Sequence, residues 1–229
     1  MTLGKIGRFG WRRPVLALGI TLGLVAAFLL GRASDAPGPA GVLAGRPSPV
    51  DIGFSQDMGT HHQQAILMSS LAASRAGPAV KALAEAILVS QSQELGALQG
   101  WLRLWDQPGE SATPMSWMFG AIPQHADMAN MANMANMEMP PIGSMPGMAS
   151  PQELTTLWAK SGTDFDILFL QLMTRHHQGG IEMAQYAEAH ATLDVVHQAA
   201  RAMQFQQAED IGQMQALLKT YGATPLPPP

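Results

Sequence analysis

Apolar residues recur along this chain at helical spacing in four separate stretches. At about 100° per residue, Phe54, Met58, His61, Ala65, Met68 and Ala72 share one stripe, with His62 at its margin. Phe165, Phe169, Leu172, Met173, His176, Gly180, Met183 and Ala187 form a second, with His177 at its edge. A third runs through Val80, Ile87, Leu88, Leu95, Leu98, Leu102 and Trp105 and also takes in Gln91 and Glu94. The fourth, through Val196, Met203, Ile211, Met214, Leu218 and Tyr221, takes in Gln207 and Asp210. With Gly77-Pro78 and Ser150-Pro151 as stop and start signals, the pattern predicts helices over 51–75, 78–105, 151–190 and 192–221.

These stretches repeat one another. Shifting the chain by 115 positions lays Phe54, Gln56, Met58, His61, His62, Gln63, Ile66 and Met68 on Phe169, Gln171, Met173, His176, His177, Gln178, Ile181 and Met183. A shift of 116 lays Gln91, Glu94, Leu95, Leu98 and Leu102 on Gln207, Asp210, Ile211, Met214 and Leu218. Each half is therefore a helical hairpin with one exposed apolar stripe per helix. Two such hairpins bury their stripes most economically against each other, which predicts an all-α four-helix bundle over 51–221.

The ends read differently. Lys5, Arg8, Arg12 and Arg13 precede the uncharged run "PVLALGITLGLVAAFLL" at 14–30, at the short limit for a membrane span. Residues 1–32 are expected to be a signal peptide or an uncleaved signal-anchor helix, with the basic end cytoplasmic and the remainder outside. Residues 33–50, rich in proline, glycine and alanine, read as a tether, and 222–229 as a proline-rich tail.

Composition narrows the chemistry. A net charge of -4 gives no reason to expect nucleic acid, and the absence of cysteine excludes disulfides and thiolate sites. The anomaly is 16 methionines among 229 residues. Many fall in the connector between the halves, 107–150, where His125, Met128, Met131, Met134 and Met137 recur every third residue, so that neighbouring sulfurs can converge on one ion if the segment is helical. The same run also fits an adaptable apolar contact surface.

Polar side chains enter the core stripes of all four predicted helices, and buried polar groups need partners. In one reading Glu94 and Asp210 accept hydrogen bonds from the histidines and form a layer that sets register. In the other, Met58, His61, His62, Met173, His176 and His177 supply metal ligands, with Gln91, Glu94, Gln207 and Asp210 orienting them from behind. Which histidine of each pair binds is open, because adjacent residues point about 100° apart. Thioether with imidazole and no thiolate suits copper, Cu(I) above all; zinc could use the histidines alone. A di-iron centre would want about four carboxylates and E-x-x-H pairs, which are missing. Nothing points to an enzyme.

"FSQDMGTHHQQAILM" and "MPGMASPQELTTLWAKSGTDFDILFLQLMTRHHQGGIEMA" resemble the domain-of-unknown-function 305 family over about residues 51–221. That resemblance implies a ferritin-like four-helix bundle, and the group includes CopM-like copper-binding proteins. It implies an extracytoplasmic copper role carried by Met58, His61, His62, Met173, His176 and His177. The expected partners are thus a metal ion, the membrane through the N-terminal helix, and a copper transporter or other envelope protein. A helical adaptor with a structural histidine-carboxylate layer and a methionine-rich arm for a partner is the alternative. Gly180 departs from the family, where alanine is common, and predicts a loosened helix at "HHQGG".

Overall fold

A computed structural model describes residues 45–118 and 145–229. The described residues are all-helical: α1 Pro49–Arg75, α2 Pro78–Leu104, α3 Pro151–Ala159, α4 Gly162–His190 and α5 Asp194–Thr220. Two of the starts are built from the same local chemistry. Ser48 and Asp51 form a reciprocal capping box before α1, and Ser150 and Glu153 do so before α3, each with a proline at the first helical position.

The single helix predicted over 151–190 is two. Lys160 and Ser161 take extended conformations, Gly162 follows at a φ of 57°, and the chain restarts as α4. The sequence pattern joins the Ser150-Pro151 start signal and the stripe from Phe165 onward into one helix across it. The short α3 buries Leu157 and lies against α4, where Glu153 pairs with Arg175 at 2.7 Å. The Arg75 guanidinium at the end of α1 donates to the Trp158 carbonyl of α3.

The α1/α2 and α4/α5 hairpins pack through α1 against α4 and, more lightly, α2 against α5. Two buried carboxylates lock them end to end. Asp51 at the start of α1 accepts from the backbone N–H groups of Thr192 and Leu193 in the α4–α5 turn. Asp166 at the start of α4 accepts from the Gly77 N–H in the α1–α2 turn and from the Tyr221 hydroxyl. Asp51 and Asp166 are one 115-residue repeat apart, as are Gly77 and Thr192, so the clasp is reciprocal and α1 runs antiparallel to α4.

The core divides in two. One apolar cluster gathers Ala65, Met68, Ile87, Phe165, Phe169, Leu172, Met173 and Leu218; the other gathers Phe54, Met58, Leu98, Trp117, Met183, Val196 and Met203. Each of the fully buried large side chains contributes about 1.5–3 kcal/mol. Between the clusters lies the layer of histidines. Among the described residues no helix is long and apolar enough to cross a membrane. The expected leader at 1–32 and most of the tether lie outside the described residues.

Candidate metal centre

α1 and α4 cross at their repeated motifs, bringing His61 against His176. The ring centroids are 3.7 Å apart at 34°, and both side chains are buried. Burial, reinforced by the neighbouring His62, pushes the His61 pKa down to about 3. Burial, with the other imidazoles beside it, puts His176 well below the ordinary histidine value. Both rings are therefore neutral over the physiological range, the state in which imidazole nitrogen can donate to a metal.

His62 and His177, expected at the margins, are fully buried as well. One residue further round each helix, they point toward the hairpin partner instead of the opposite motif. His62 Nε2 lies 2.7 Å from Glu94 Oε2 on α2, and His177 Nε2 lies 3.3 Å from Asp210 Oδ2 on α5. The carboxylates read as supports thus serve the second histidine of each pair. His61 is supported differently: its Nε2–H donates to the Pro146 carbonyl at 3.1 Å.

The other ring nitrogen is the informative one. Among the described residues, Nδ1 of all four buried histidines finds no hydrogen-bond partner, and neither does Nε2 of His176. Buried polar atoms are rarely left so. A histidine whose Nε2–H is held by a carboxylate or carbonyl while Nδ1 stays free has the orientation of a metal ligand with its outer support. The residues therefore fit a metal chemically. Among the described residues, no group of three or more His, Cys, Asp and Glu side chains is placed to hold an ion. A complete donor set would have to include thioethers.

Met58 and Met173 are fully buried and stand one turn before their histidines. Because α1 and α4 are antiparallel, the methionines fall on opposite sides of the His61–His176 pair, and each joins a different apolar cluster. Three residues of helix place each about 4.5 Å along the axis from its own histidine. The order through the core is Met58, the His61–His176 pair, Met173.

Gln91 and Gln207 are buried in the same layer, with Gln91 Oε1 and both amide atoms of Gln207 unpartnered. The departure at Gly180 is explained by Gln207: a Cβ on Gly180 would collide with the Gln207 amide. The predicted loosening is absent, since α4 runs unbroken through Gly179 and Gly180.

Several residues that shape the centre were missed by pattern reading. The returning connector, 145–149, lies over the histidines. Ala149 exchanges two backbone hydrogen bonds with the Gln64 amide, and Gly179 lacks a Cβ that would strike the Pro146 carbonyl. On the outgoing side, Asp57 Oδ2 accepts from the Met115 N–H and the Trp117 indole N–H. Glycines stand at each close approach: the pair in "HHQGG", Gly147 against Arg175 and His176, and Gly53 against the Trp117 side chain. His125, Met128, Met131, Met134 and Met137 lie outside the described residues.

Comparison with known proteins places this geometry. In solved structures the chain is similar to a DUF305 protein from Streptomyces coelicolor, described as a putative secreted protein, at 34% identity and a TM-score of 0.65, covering 78% of this chain and 96% of that one. It is also similar to a DUF305 fragment from Deinococcus radiodurans at 27% identity and a TM-score of 0.58, covering 77% and 99%. CopM in its Cu(I)-bound form shares the fold at 21% identity and a TM-score of 0.54, covering 75% and 96%. No curated protein matches. The family model described as Domain of unknown function (DUF305) matches residues 51–218, and the chain belongs to that family.

Proposed function

We propose that this protein binds copper outside the cytoplasm, as Cu(I), and sequesters it or passes it on. The carrying observation is the set of four buried histidines with unpartnered Nδ1 atoms, three of them braced at Nε2 by Glu94, Asp210 and the Pro146 carbonyl. Met58 and Met173 flank the pair at the bundle axis and supply the soft donors that favour Cu(I) over zinc. In this reading the four long helices act as a ferritin-like bundle whose core holds the ion, and the role is binding without turnover.

Two likenesses support the reading. CopM, of the same fold, has Cu(I)-bound, Cu(II)-bound and Ag-bound forms. The description of the Streptomyces relative as secreted agrees with the basic-then-apolar leader. A transporter or another envelope protein would be the recipient.

The test is copper titration of the full chain under reducing conditions, with X-ray absorption at the metal edge. Sulfur and nitrogen scatterers together support the proposal. A shell of nitrogen and oxygen alone, unchanged when Met58→Leu and Met173→Leu are introduced, would falsify it in favour of zinc-type or adventitious binding.

A further inference from the structure

Methionine is unevenly spread between the two apolar clusters. Met58, Met183, Met203 and Met115 are buried in one, and the half-buried Met118 and Met145 pack against it. The other holds Met68, Met173 and Met214 among phenylalanines and leucines. The richer cluster is also where the connector leaves and returns. Met115 and Met118 lie on the outgoing side, a hydrogen-bonded turn apart, and Met145 immediately precedes Pro146, whose carbonyl caps His61.

Met115 is held there against its backbone preference. Its φ of 66° lies in the left-handed region, unfavourable for any residue with a Cβ, and its side chain is almost wholly buried. Its N–H is bound at 2.6 Å by Asp57, the residue before Met58, and the same carboxylate oxygen holds Trp117, whose ring lies edge-on to Phe54 and to Tyr186. The Asp57 hydrogen bonds hold this turn and thereby fix where the Met115 thioether stands, and two-coordinate and three-coordinate soft cations depend on where the sulfurs stand.

We propose that Met115, Met118 and Met145 form a thioether capture site for a soft monovalent cation, from which the ion passes by way of Met58 to His61 and His176. The inference rests on the copper-binding reading and adds to it a direction of loading, from the connector side. The transfer is ligand exchange at constant oxidation state, so it needs no oxidant or reductant.

Silver(I), a redox-inert soft cation, is the probe. It is titrated into the full chain carrying 13C-methyl methionine, beside a Met58→Leu, His61→Gln, Met173→Leu, His176→Gln variant. The methyl resonances of Met115, Met118 and Met145 are expected to shift in both chains, with those of Met68 and Met214 unmoved. In stopped-flow transfer of Cu(I) from a coloured chelate, a Met115→Leu, Met118→Leu, Met145→Leu chain, which conserves side-chain volume, is expected to load about tenfold more slowly with its final occupancy retained. Shifts confined to the buried centre, or an unchanged loading rate, overturn the capture site and leave the copper centre standing. No methyl or imidazole shift in either chain overturns both.

Discussion

The two hairpins carry the same motif in different surroundings. Met173 packs with Phe165, Phe169 and Leu172, and among the described residues neither ring nitrogen of His176 finds a hydrogen-bond partner. Around Met58 and His61 both ends of the connector are pinned, through Asp57 on one side and Gln64 on the other. The repeat positions record the difference. Where the first half has Gln64, which clasps Ala149, the second has Gly179, which makes room for Pro146. Where the first has Ala65, the second has Gly180 beneath Gln207. Duplication supplied a symmetric set of donors, buried in both halves, and the single connector lies across both, with Pro146 on His61 and Gly147 against His176.

The largest test of the comparison is acid. His61 and His176 are neutral in the folded chain, with pKa values depressed below the 6.5 of an exposed histidine, His61 to about 3. Between those values the unfolded chain binds more protons, so stability is full above about pH 6.5 and falls as the pH drops toward 3. Each unit of depression is worth roughly 1.4 kcal/mol. Urea unfolding of the metal-free chain from pH 7 to pH 4 is expected to show this loss, and His61→Gln with His176→Gln to flatten it. An equally steep slope in that variant would assign the loss to other groups.

Next come the paired small residues. Gly180→Ala sets the displacement of the Gln207 amide, the movable end of a buried side chain, against about 1 kcal/mol of helix propensity gained, so a net loss of no more than about 2 kcal/mol is expected. Ala65→Gly in the first half should cost only about 1 kcal/mol, the helix propensity difference. Equal shifts in urea midpoint would mean that the two halves pack alike around their glutamines.

Breaking the clasp comes third. Asp51→Asn weakens acceptance from Ser48, Thr192 and Leu193, and a loss of about 1–3 kcal/mol is expected. Asp166→Asn, with fewer partners, should lose less by the same thermal melt. The reverse order would place the stronger lock at the α1–α2 turn.

The smallest effect expected is at Arg175–Glu153. The Arg175 hydrogen bond draws the Glu153 pKa down to about 2, so its stabilisation is present above pH 4.5 and fades as the pH falls toward 2. Glu153→Gln is expected to cost no more than about 1 kcal/mol at neutral pH. A larger drop in melting temperature would show that α3 anchors the second hairpin more firmly than its contacts suggest.

Helix positions, the duplication and the inward stripes were legible because helical burial is a local, periodic property of the chain. Every member of the α1 and α4 stripes is buried, including the two histidines that begin each pair. The glutamines and Asp210 placed in the core are there too, and Glu94 reaches His62. The joint at Lys160–Ser161 was missed because the apolar stripe as read begins only at Phe165, and Ser161-Gly162, a turn-forming pair, is a weaker mark than the prolines that open α1, α2 and α3. The clasp was half legible: Asp51 and Asp166 obey the 115-residue shift, but their bonds run to turns 141 and 89 residues away.

The sequence by itself determined that two imidazole-thioether motifs would face inward on matching helices, since spacing along one helix decides which side chains share a face. Only the tertiary structure decided which nitrogen of each ring is held, which is left free, and which methionine the connector meets. Those depend on hydrogen bonds and close approaches between segments up to 85 residues apart, such as Pro146 over His61, and no periodicity along the chain encodes them.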